Sequence, residues 1–156
     1  MPTITPHLQF NGNAEEAMRF YVSVFKNSEI ENINRDGPGP RARMNGATFR
    51  LEGQTFFIFN GGRRYVFTPA ISFFVYCKTQ KEIDRLWDAL SEGGKKGKAG
   101  WLKDRYGVSW QIVPTALDRM LTGSDIKRSK RVWNAMLKMS KIEITALRAA
   151  YAQKRG

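Results

Sequence analysis

The chain has 156 residues, of which 42% are hydrophobic and 12% aromatic, enough for a packed core and too many for a disordered chain. No apolar run approaches the roughly 20 residues that span a bilayer, and the N-terminal MPTITPHLQF has no basic segment followed by an apolar one, so neither secretion nor membrane association is expected. The single cysteine, Cys77, excludes an internal disulfide framework and a cysteine zinc cluster, and makes a reduced, cytoplasmic setting the expectation.

The net charge of +12 invites a nucleic-acid reading, but the charge is unevenly placed. Residues 1–93 carry 11 basic and 10 acidic side chains, residues 94–123 carry 6 and 2, and residues 124–156 carry 9 and 2. The excess belongs to the last 63 residues of the chain.

Ile4 to Phe10 alternates apolar and polar residues and reads as a strand with two unlike faces. Asn11-Gly12 breaks it, and Asn13 with Glu16 three residues later has the spacing of a capping box. Ala17, Phe20, Tyr21, Val24 and Phe25 then form an apolar stripe at helical spacing. Glu29 to Asn34 is a weak strand, followed by the stiff loop Gly37-Pro38-Gly39-Pro40. Ala47 to Leu51 and Gln54 to Phe59 read as strands of a hairpin turning at Glu52-Gly53.

After Gly61-Gly62 the pattern begins again. Ala70 to Cys77 is a strand, and Thr79 with Glu82 caps a helix whose inward residues are Ile83, Leu86, Trp87 and Leu90. Gly93-Gly94 ends that helix, and Trp101 to Lys103 with Val108 to Val113 make a second hairpin around Tyr106-Gly107. Sliding by 66 residues sets Asn11–Tyr21 on Cys77–Trp87, and sliding by 54 sets Gly53–Phe59 on Gly107–Val113. The order β-α-β-β-β is therefore expected twice. Beyond Pro114 the pattern is helical: Thr115 to Leu121, Asp125 to Met139 and Ile142 to Tyr151, with Gln153-Lys154-Arg155-Gly156 expected to fray.

A doubled β-α-β-β-β module resembles the vicinal oxygen chelate superfamily of glyoxalases, dioxygenases and bleomycin-resistance proteins. PHLQFNGNAEEAMRFYVSVFKNSEI, AISFFVYCKTQKEIDRLWDAL, GWLKDRYGVSWQIVP and AMLKMSKIEITALRAAY resemble its PhnB-like branch, often labelled 3-demethylubiquinone-9 3-methyltransferase, over nearly the whole chain. The resemblance implies an α+β fold in which tandem βαβββ modules form a cupped, glyoxalase-like mixed sheet. The modules would cover about 1–62 and 68–114 of a domain spanning 1–114, with a helical extension over 115–156 packed on the domain or on a dimer partner. It also implies a homodimer.

Methyl transfer from S-adenosylmethionine would require a glycine-rich loop between a strand and a helix. Gly37-Pro38-Gly39 is the only candidate, and its prolines make it a turn. Metal-dependent relatives place four His, Glu or Gln ligands on the first and fourth strands of each module. The slides put His7, Phe57, Phe73 and Gln111 there, with Thr5 and Ile71 replacing His7 and Phe73 if the first-strand register is shifted by two residues. Two phenylalanines cannot ligate, so no metal and no other cofactor is expected.

What remains is a small-molecule pocket lined by His7, Gln9, Phe57, Phe73, Trp101 (or Trp110) and Gln111, favouring an anionic ligand where Lys95 to Lys103 borders it. For a reaction, His7 is the best acid–base candidate, because imidazole is the side chain whose ordinary pKa lies nearest neutrality. Nucleic-acid binding through Lys127, Arg128, Lys130, Arg131, Lys138 and Lys141 beside Trp133 is the disfavoured alternative, since no known binding motif accompanies these residues.

Overall fold

The computed structural model describes residues 1–153, so of the end expected to fray, Lys154, Arg155 and Gly156 lie outside the described residues. The chain divides into two compact units, Met1–Val66 and Phe67–Gly156.

The first unit runs β1 (His7–Phe10), α1 (Ala14–Val24), β2 (Ser28–Arg35), β3 (Met44–Leu51) and β4 (Gln54–Asn60). Its mixed sheet has the order β1-β4-β3-β2, with β1 parallel to β4 and the other pairs antiparallel. The second unit repeats this with β5 (Ser72–Cys77), α2 (Gln80–Ser91), β6 (Lys95–Lys96), β7 (Trp101–Lys103) and β8 (Ser109–Pro114) in the order β5-β8-β7-β6. The expected repeat is present as two four-stranded sheets of identical topology.

The first strand starts later than expected. Ile4 is 95% exposed and lies outside β1. Pro6 has no N–H to give a ladder, and its carbonyl accepts from Phe57 N at 2.9 Å as the last contact before the chain leaves the sheet. The β3–β4 turn forms as expected, with positive φ at Glu52 (46°) and Gly53 (89°), the conformation that a tight hairpin demands.

The two helices start differently although their sequences align. In α2 the capping box is complete: Thr79 Oγ1 accepts from Glu82 N, and Glu82 Oε2 accepts from Thr79 N. The box expected for α1 is absent, because Asn13 makes no side-chain cap bond. Its place is taken by Asn60 at the end of β4, whose Oδ1 accepts from both Gly12 N and Ala14 N at 3.0 Å, while Nδ2 donates to Met44 O.

The reason is a one-residue difference between the repeats. Asn11, Gly12 and Asn13 join β1 to α1, but only Lys78 and Thr79 join β5 to α2. The helices correspond at a shift of 66 and the strands before them at 67. Gly12, at φ 103°, lies in the longer connection.

A carboxylate closes the far end of the first unit. Glu15 on α1 accepts from both terminal nitrogens of Arg35 at 2.7 and 2.9 Å, and Arg35 also donates to Ala42 O, tying the Gly37–Pro40 loop back to the helix. The Arg35 guanidinium holds the Glu15 carboxyl down, from its ordinary 4.5 to about 2. A lowered carboxylate stabilises the fold above the unfolded value and loses that contribution as pH falls from about 4.5 towards 2. Glu15→Gln should therefore cost about 1 kcal/mol at pH 6, where the partly buried pair is still screened by solvent, and nearly nothing at pH 2. Urea denaturation of both proteins at the two pH values checks this; an equal difference at both would exclude the ion pair as the cause.

In the second unit β8 leads into α3 (Ala116–Leu121), α4 (Ile126–Leu137) and α5 (Ile144–Ala152). These helices form a core on their own chain: Val113 of β8 is buried with Leu117, Met120, Val132, Met136, Ile142 and Leu147. The segment before α5 is bonded to the module, with Gln80 donating to Ile142 O and accepting from Ile144 N, and Lys141 paired with Asp84 at 2.8 Å.

Candidate functional site

Each sheet has one face under its helix and one face away from it. In the first unit Leu8, Phe10, Phe56, Ile58 and Asn60 are buried on the α1 side. Alternation places His7, Gln9, Phe57 and Phe59 on the other face. His7 and Phe57 are direct cross-strand partners with ring centroids 5.2 Å apart, and Phe59 lies 6.1 Å from His7. Gly46 forms the floor beneath them: a Cβ there would come within 3.0 Å of Phe57 Cζ and 3.3 Å of Phe59 Cδ2. The rings lie over β3 because no side chain stands there. Gln9 lies over Gly61 in the same way.

In the second unit the register decides a point that the sequence left open. Gln111 is paired with Phe74 on one side and Trp101 on the other, while Phe73 is paired with Trp110. Phe73 and Trp110, centroids 5.3 Å apart, therefore share the α2 face with Cys77, Leu102 and Ile112. This corrects the sequence register. Phe73 and Gln111 lie on opposite faces, and the strand equivalent of His7 is Phe74, because strands correspond at 67 rather than 66.

The face away from α2 thus carries Ser72, Phe74, Tyr76, Trp101, Lys103, Ser109 and Gln111, and at one end Val113, which is paired with Tyr76 and covered by the C-terminal helices. Phe74 and Tyr76 are half exposed and in ring contact at 5.7 Å. Gln111, which needs a partner when partly buried, donates to Ser72 Oγ at 2.9 Å. Of the six residues singled out in the sequence, His7, Gln9 and Phe57 share a face in the first unit, and Trp101 and Gln111 share one in the second. Phe59, Phe74 and Tyr76 were missed; counting alternate positions outward from Gln111 along paired strands would have found the last two.

The donor set does not fit the superfamily's divalent metal. In the first unit the partner of His7 is Phe57, and in the second the partner of Gln111 is Phe74, so neither pair supplies two ligands. Among the described residues no three His, Cys, Asp or Glu side chains gather. Among the described residues, the strand-to-helix turns, which are Asn11–Asn13, Lys78–Thr79 and Thr115, also lack a glycine-rich cradle for S-adenosylmethionine. Gly37 and Gly39 instead lie in the connection between two strands. Cys77 is buried at the end of β5, and burial pushes its thiol up to about 11, which leaves it protonated and a poor nucleophile at neutral pH.

The cations of the helical tail are partly engaged within the chain. Arg131 donates to Ala150 O, Arg128 lies over the Tyr151 ring at 4.6 Å, and Lys141 is paired with Asp84 and Glu143. Lys127, Lys130 and Lys138 are exposed. The expected six-cation surface is reduced to about half.

The sequence profile of the 3-demethylubiquinone-9 3-methyltransferase family matches residues 2–113. The chain belongs to this family. A PhnB protein from Bacillus cereus, described as a putative member, is 40% identical over 73% of this chain and 100% of its own, with a TM-score of 0.66. A protein of known structure from Pseudomonas aeruginosa matches at 24% identity over 73% of this chain and 98% of its own (TM-score 0.63). The fosfomycin resistance protein FosX from Listeria monocytogenes, at 14% identity over 76% of this chain and 96% of its own, shares the fold with a TM-score of 0.52. No curated protein matches. The chain is thus PhnB-like, and it shares the α+β fold of the fosfomycin resistance protein, as expected. The family profile matches as far as residue 113, and the helices after it lie outside that match. No helix among the described residues is long and apolar enough to cross a membrane.

Proposed function

We propose that this PhnB-like protein binds a small organic molecule on the sheet faces turned away from α1 and α2, without a metal ion. The observation that carries the reading is the chemistry of those faces. Aromatic rings stand exposed where a core would bury them, and polar groups (His7, Gln9, Ser72 and Gln111) are interspersed among them. That mixture of apolar surface and a few oriented donors and acceptors suits a small organic ligand. The reading includes a homodimer, which would give cover to the exposed Ile126, Trp133 and Leu137 of α4, and the reducing setting that suits a lone Cys77. In a reaction on such a ligand, His7 is the residue to carry a proton.

N-phenyl-1-naphthylamine, a neutral aromatic dye, tests the site by fluorescence titration. Phe57→Ser should weaken binding on the first unit's face and Phe74→Ser on the second unit's face, each about tenfold, the loss of roughly 1.4 kcal/mol of contact, and the double variant His7→Ala/Gln111→Ala should weaken both. The side chains removed are partly exposed, so circular dichroism should show the fold intact. Unchanged affinity in all three variants would place the site elsewhere.

A further inference from the structure

We propose that the ligand of the second unit's open face is an anionic aromatic molecule, its charge met by Lys95 and Lys103 and its ring by Trp101, Phe74 and Tyr76. This rests on the reading that the open faces bind a small organic molecule, and it names the charge and ring that reading leaves open.

Strand register carries the placement. Lys103 is paired with Ser109 and Trp101 with Gln111, so both share the face of Gln111; Lys95 is paired with Lys103 and joins them. Both lysines are exposed, and no carboxylate occupies the face among Ser72, Phe74, Tyr76, Trp101, Ser109 and Gln111. The nearest acid in sequence, Asp104, points to the α2 side, where its Oδ2 accepts from Trp110 Nε1.

The first unit offers a contrast. The cation on its open face, Arg50, is already paired with Glu29 and Glu31. Among the strand residues of the two open faces, the cations not paired with a carboxylate are therefore Lys95 and Lys103 of the second unit. Between the lysines and the rings, Ser72 accepts from Gln111 and keeps its own O–H to donate.

The strap that bears these groups is held in place. Ala99 N donates to Met139 O at 2.8 Å and Gly100 N to Ser140 O at 2.9 Å, while Gly100 O accepts from Ile112 N. Gly100, at φ 83°, permits this approach, since a Cβ would meet Ile112 O at 2.7 Å and Ile142 Cδ1 at 2.9 Å. The helical tail thus sets the position of Trp101 before a ligand arrives, which lowers the ordering cost of binding.

A matched pair of dyes tests the charge: 1-anilinonaphthalene-8-sulfonate and N-phenyl-1-naphthylamine share one ring system and differ in the sulfonate. The sulfonate should bind about tenfold more tightly, the scale of a charge-assisted contact. Lys95→Gln/Lys103→Gln should remove that preference and leave the neutral dye within about twofold. Lys127→Gln/Lys130→Gln/Lys138→Gln on α4 should change neither. If the neutral dye binds in a Phe74-dependent way but the sulfonate gains nothing, or the α4 variant removes its gain, the anionic ligand is excluded and the site survives. If Phe57→Ser and Phe74→Ser leave the neutral dye unaffected, the site and the anion preference fall together.

Discussion

Replacing Asp104 by alanine should lower stability by about 3–5 kcal/mol, because buried donors lose their acceptor. The carboxylate is 2% exposed and joins the β7–β8 connection to the core. Its Oδ1 accepts from Tyr106 N at 2.8 Å and Val108 N at 3.0 Å, and its Oδ2 accepts from the Trp110 indole at 2.9 Å. Asp104 N also donates to Val108 O, and Asp104 O accepts from Gly107 N, so backbone and side chain together close the turn. Asp104→Asn should cost less, about 1–2 kcal/mol, since its amide oxygen can still serve the two turn N–H groups while its NH2 faces the indole N–H. Urea denaturation midpoints with unchanged m-values measure both effects. A loss under about 1 kcal/mol for Asp104→Ala would mean that water replaces the carboxylate, and that the turn rests on its backbone bonds alone.

The second large effect is at Asn60. Asn60→Ala removes three hydrogen bonds from a residue that is 7% exposed and should cost about 2–3 kcal/mol. The equivalent helix start in the second unit offers an internal comparison. Thr79→Ala removes one partly solvated cap bond and should cost about 1 kcal/mol. Hydrogen exchange at Gly12 and Ala14 gives an independent readout, since both amides should lose protection in Asn60→Ala and keep it in Thr79→Ala. The opposite ranking of the two variants would show that α1 is not held by the strand behind it.

These two residues illustrate what was legible in the chain and what was not. The Thr79–Glu82 box was readable because donor and acceptor lie three residues apart on one helical turn. Asn13 and Glu16 have the same spacing and yet make no box, because the connection before them is one residue longer. The group that replaces Asn13 is Asn60 on β4, 46 positions from the Ala14 N–H that it caps. A cap supplied across the fold has no local pattern.

The same inserted residue misled the reading of the site. The repeat was visible from helical stripes, hairpin turns and capping residues, and these align at 66. Strand alternation has period two, so a shift of one moves a side chain to the opposite face. Phe73 therefore belongs under α2, and Phe74 stands beside Gln111. His7, Gln9, Phe57, Trp101 and Gln111 were placed on strands correctly from local pattern, whereas their neighbours Phe59, Tyr76 and Lys103 required the cross-strand register.

Charge shows the same division. Composition alone located the basic excess in the last 63 residues of the chain. Only the folded chain separates Lys95 and Lys103 on a sheet face from Arg131 and Lys141, which are bonded within their own unit.

Short-range periodicity, turn glycines and one complete capping box determined the order of elements and the α+β class, because each is an interaction between residues a few positions apart. The faces of the strands, the cap of α1, the docking of the helical tail and the lysines available to a ligand were decided only in the tertiary structure. Each depends on pairing between distant segments, and one added residue in a connection is enough to change which side chains meet.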